Sequence, residues 1–167
     1  MKINKSTKII LIVLTIILIS ITGFSIYQGI YYSDNNVAKR FLNYNQEKYN
    51  VKLPQEINVE YKYYDGAIDG SNTYFVLSIQ GDYELSYEKQ YDNNIDQEDY
   101  QINIQKSFDG LKQYVDNEKL PTFNFKYDWF AREEKGETRY YDFYVVYDLD
   151  NKLMYIYYEV TQYKTYE

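Results

Sequence analysis

The sequence predicts an α+β protein: a long apolar helix followed by one domain in which an antiparallel sheet packs against helices. Three observations carry this expectation. Residues 9–33 contain no charged side chain, whereas the rest of the chain is strongly polar. Six later stretches alternate apolar and polar residues at the two-residue period of a half-buried strand. Two others repeat apolar residues at the period of an amphipathic helix. After the apolar helix the expected order is α-β-β-β-α-β-β-β.

The first element follows from Lys2, Lys5 and Lys8, which form a basic stub over residues 1–8. Residues 9–32 read as a transmembrane anchor. The uncharged run Ile9–Ser33 is 25 residues long, and as a helix would span about 37 Å, ample for a bilayer core. The lysines are expected on the cytoplasmic side, with Tyr27, Tyr31 and Tyr32 at the far interface. A signal peptide has the same outline, and Gly23-Phe24-Ser25 offers a cleavage point after Ser25. Both readings export residues 33–167. The protein is then a single-pass membrane protein with its C-terminal domain outside, or a secreted one if cut.

Within residues 33–167, Ser33 or Asp34 caps a helix running to about Tyr49, with Val37, Phe41 and Tyr44 at helical spacing. Pro54 follows it. Ile57, Val59, Tyr61 and Tyr63 mark a first strand. Thr73–Gln80 marks a second and Tyr83–Glu88 a third, with the turn Gly81-Asp82 between them. Asp96 is placed to cap a helix carrying Tyr100, Ile104, Phe108, Leu111 and Val115, which Pro121 stops. The last third reads as a meander. Phe123–Trp129 is its first strand, Arg132–Glu137 a charged loop, Tyr141–Leu149 the second strand, Asp150-Asn151 a turn and Met154–Val160 the last strand. Helices are expected to cover one face of this sheet.

Composition narrows the function. The chain of 167 residues has a net charge of −7, no histidine and no cysteine. The three N-terminal lysines carry +3 and residues 1–32 hold no acid, so the remainder carries −10. Such a domain repels phosphate backbones, and no nucleic-acid partner is expected. A basic protein partner is expected instead. Thiol chemistry, Ser-His-Asp triads, and His- or Cys-ligated zinc have no residues to use. Asp92–Asp99 begins like a calcium loop but lacks its glycine and its final glutamate. No pair of carboxylates is spaced in a way that marks glycoside hydrolysis. No cofactor and no catalysis are expected.

The chain has 24 tyrosines, and they shape the candidate site. Asp128, Tyr140, Asp142, Tyr144, Tyr155, Tyr157 and Glu159 are expected on the meander face turned away from the core. If open, that face is a recognition surface: rings supply contact area at low entropic cost and carboxylates select basic groups. The competing reading is that a helix covers this face, or that tyrosine serves there as a strand former. The function expected is a membrane-anchored extracytoplasmic protein-interaction domain. Alternatives are an immunity or inhibitor protein masking a basic toxin or enzyme, and a cell-envelope glycan binder that stacks sugars on Tyr144 and Tyr157.

Overall fold

The structure, a computed structural model, describes residues 4–66, 70–87, 97–124 and 126–162. It divides into two compact units, Met1–Val37 and Ala38–Glu167.

The first unit is built on α1 (Lys5–Tyr31). Its stretch Ile10–Tyr31 is long and apolar enough to cross a membrane. Its large apolar side chains from Ile10 to Ile30 are 48–66% exposed. Thr15 and Thr22 donate their hydroxyls to the carbonyls of Leu11 and Leu18, each at 2.8 Å, which satisfies these polar groups inside the helix itself. Tyr27 stacks on Tyr31 at 5.7 Å, and Tyr31 meets Tyr32 edge-on at 5.0 Å. The Ile30 carbonyl at the end of α1 accepts from Ser33 Oγ and Asn36 Nδ2.

The second unit takes up α2 (Asp34–Tyr49) from Ala38 onward. The chain continues through β1 (Val51–Lys52), β2 (Ile57–Asp65), β3 (Gly70–Ile79), β4 (Ser86–Tyr87), α3 (Gln97–Gly110), β5 (Tyr127–Lys135), β6 (Arg139–Asp148) and β7 (Leu153–Gln162). Two short 3-10 turns, Leu111–Gln113 and Asn117–Lys119, follow α3. Five strands form one antiparallel sheet in the order β2-β3-β7-β6-β5. The expected third strand does not join it. β3 already has β2 on one edge and β7 on the other, so Ser86–Tyr87 pairs with β1 in a separate ribbon.

The meander differs at its start. Pro121 and Phe123, whose φ is 55°, interrupt the extended run, so β5 begins at Tyr127. It then runs through the expected charged loop as far as Lys135. Phe125, the expected cap Asp96, and most of the calcium-like segment Asp92–Asp99 lie outside the described residues. At the β6-β7 turn, Asp148 is buried and its carboxylate accepts from the backbone N–H of Asp150 and Asn151 and from Asn151 Nδ2, at 2.8–3.0 Å.

The sheet is covered on both faces, not one. β6 is buried without a break from Phe143 to Asp148. On one face Phe75, Phe143, Val145, Met154 and Ile156 are buried, and α2 meets them. Phe41 lies 5.4 Å from Phe75 and 5.8 Å from Tyr158, and Tyr49 stacks on Phe143 at 5.1 Å. On the other face Tyr74, Val76, Trp129, Tyr144, Val146, Tyr155 and Tyr157 form one core with Ile104, Phe108, Leu111 and Val115 from α3 and its extension.

Candidate functional site

Directly opposed residues of an antiparallel sheet point to the same side, about 4.5–5.5 Å apart at Cβ. The pairing therefore lines up whole rows across the five strands. One row reads Tyr63, Tyr74, Tyr157, Tyr144 and Ala131 from β2 to β5. The next row on the same face reads Asp65, Asn72, Glu159, Asp142 and Glu133. A tyrosine row thus lies beside an acidic row.

The two rows are bonded to each other. Tyr144 donates its hydroxyl to Glu133 Oε1 at 3.1 Å. Tyr157 lies with its hydroxyl 2.9 Å from Glu159 Oε2 and 3.0 Å from Asn72 Oδ1. The rings of Tyr144 and Tyr157 stack at 6.2 Å. Burial first, then the neighbouring carboxylates, hold both phenols far above their usual range; a hydrogen bond with Ser107 of α3 opposes this at Tyr144. Both are fixed neutral donors.

Asp142 stands between Glu133 and Glu159. Its carboxyl is pushed up to about 6, first by burial and then by repulsion from these two neighbours. Like charges directly opposite each other on a sheet are destabilising, and a cation supplied from outside relieves that repulsion. Among the described residues, no group of three or more acids lies close enough to hold a metal ion.

The expected open tyrosine face is corrected by α3. Tyr144, Tyr155 and Tyr157 are only 3%, 8% and 4% exposed, packed beneath Phe108 and its neighbours. Asp128 is separated from the others: it opposes Tyr147, on the α2 face. Tyr140, Asp142 and Glu159 do share one face, and Tyr140 is 40% exposed. Glu133, Asp65 and Asn72 belong to the same row and were not singled out by alternation. Glu133 lies in the expected charged loop, and Asp65 and Asn72 lie between the first two expected strands. The signal for double coverage was present in the unbroken apolar and aromatic runs Phe143–Tyr147 and Leu153–Tyr158.

A second charged feature joins α2 to the sheet. Lys48 Nζ lies 3.0 Å from Glu134 Oε2, 4.7 Å from the Tyr49 ring centroid and 4.6 Å from that of Tyr141. Burial works to lower the Lys48 pKa, but the Tyr49 hydroxyl and Glu134 outweigh it, and the net shift is upward.

No family model, curated protein or solved structure matches this chain.

Proposed function

We propose that residues 9–32 hold the protein in a membrane and that residues 33–167 are displayed on the outer side as a non-catalytic domain that docks a basic protein. The observation that carries this is α1: the 22 residues Ile10–Tyr31 are long and apolar enough to cross a bilayer, the large apolar side chains from Ile10 to Ile30 stand 48–66% exposed, and Thr15 and Thr22 are satisfied within the helix. An apolar helix left this bare in water exposes far more contiguous hydrophobic surface than a soluble protein tolerates. A bilayer removes that cost. The lysines before it set the orientation. The net charge of −10 beyond it, concentrated in part along the row Asp65–Glu133, steers basic partners.

Full-length protein with a C-terminal tag tests the first half. The tag should stay with membranes through alkaline extraction and be removed by protease added to intact cells. A protease-resistant or soluble intracellular tag overturns the reading. Mass spectrometry of the mature N-terminus separates an intact anchor from cleavage after Ser25. The second half is tested by crosslinking at low and high salt. A partner captured by the wild type at low salt should be lost with Glu133→Lys plus Glu159→Lys; retention by that variant removes the acidic row from the interface.

A further inference from the structure

We propose that a groove beside the C-terminal half of α3 binds a neutral saccharide. The groove has a volume of about 440 Å³, within the roughly 300–1,000 Å³ of small-ligand clefts. One wall is a helical stripe. Gln105 and Asp109 of α3, and Lys112 just beyond it, follow at spacings of four and three and fall on one side. Asn117, Thr122 and Phe123 line it as well, with the buried Leu120 and Pro121 among them.

The chemistry of this lining selects the ligand. Asp109 and Lys112 pair at 2.6 Å, so the two charges that line the groove among the described residues offset each other. What remains is two primary amides, Gln105 and Asn117, and the half-buried ring of Phe123, the Thr122 hydroxyl being engaged by Asn124. Primary amides both donate and accept, which matches vicinal hydroxyls, and an apolar aromatic ring in the wall suits the C–H groups of a pyranose. Among the described lining residues an anion or a basic side chain finds no uncompensated charge, in contrast to the acidic row.

The groove is also held rigid. Phe123 sits at φ 55°, a left-handed conformation that is costly for a bulky residue and is sustained only where its surroundings impose it. Its ring is held edge-on by Phe108 at 5.8 Å and by Tyr127 at 5.6 Å. The turn carrying Asn117 is tied to the sheet by Tyr74, which donates its hydroxyl to the Lys119 carbonyl at 2.5 Å. A wall fixed before binding lowers the entropic cost of capturing a weakly held ligand.

The experiment is calorimetry on the full chain in lipid nanodiscs free of glycolipid and glycosidic detergent. Chitotetraose, cellotetraose and maltotetraose serve as probes, each at low and high salt. Saturable binding of at least one is expected, with a dissociation constant on the order of 1 mM or tighter, insensitive to salt because the site is uncharged overall. Gln105→Ala with Asn117→Ala should weaken it at least about tenfold with an unchanged melting temperature. Phe123→Gly, which suits the backbone but removes the ring, should abolish it. If that variant melts early, the double amide variant carries the test alone. Failure of all three sugars, loss of binding at high salt, or full binding by the double amide variant overturns the proposal. The inference goes beyond the membrane-held docking domain and does not rest on it: sugar binding can fail while membrane retention and partner capture stand.

Discussion

Asp142 on β6 is directly opposed by Glu159 on β7, and by Glu133 on its other side, in a row of carboxylates bordered by buried tyrosine hydroxyls. The arrangement places mutual repulsion on a surface that the fold otherwise holds rigidly.

Its first consequence is a pH dependence. The Asp142 carboxyl titrates near 6 in the folded protein, against about 3.9 in an unfolded chain. Between these values the folded state binds more protons, so stability falls as pH rises through the window and the cost is complete above it. Asp142→Asn removes that cost. Relative to wild type it should gain little near pH 4, then progressively more to about pH 6, and hold a gain of about 1 kcal/mol above, once the group's partial exposure is allowed for. Denaturation at a series of pH values checks this, and a gain independent of pH would contradict it.

Tyr157 tests whether the tyrosine row is core or contact surface. Tyr157→Phe should cost about 1 kcal/mol, the hydroxyl's hydrogen bond alone. Tyr157→Ala, like Phe108→Ala, should cost about 3–5 kcal/mol, because the rings pack on each other at 6.0 Å between α3 and the sheet. Denaturant titration distinguishes them. An alanine variant of near wild-type stability would mean that α3 does not cover this face.

Lys48 should be worth more than its ion pair. Glu134→Gln is expected to cost about 0.5 kcal/mol, as for a partly exposed pair. Lys48→Ala also loses two ring contacts, and should cost about 1–2 kcal/mol. A double-mutant cycle at low and high salt should find only the Glu134 component salt-sensitive.

Asp148 holds the β6-β7 turn by accepting three hydrogen bonds while buried. Asp148→Ala leaves their donors without this acceptor and should cost about 2 kcal/mol. Asp148→Asn, which keeps one acceptor oxygen, should recover part of that. Equal loss in both variants would mean that charge rather than hydrogen bonding holds the turn.

Much of this architecture is legible in the residues. The uncharged run from Ile9 marks α1, and the spacing of Ile104, Phe108, Leu111 and Val115 marks the side of α3 and its extension that is buried. Alternation locates β2, β3, β6 and β7 to within a few residues. Local periodicity reports which residues of an element share a side, because that depends only on helix and strand geometry. The candidate site was less legible. Tyrosine suits both a core and a surface, so Tyr144 and Tyr157 looked alike whether α3 lay over them or not.

By itself, then, the sequence determined a long uncharged helix, an acidic α+β domain, and the absence of histidine and cysteine chemistry, since composition and period are properties of the chain alone. Only the tertiary structure decided that β3 lies between β2 and β7, that α2 and α3 take opposite faces of the sheet, and that Asp65, Glu159, Asp142 and Glu133 fall in one row. Those relations depend on which strand pairs with which and in what register, contacts between residues up to about a hundred positions apart, which no local pattern encodes.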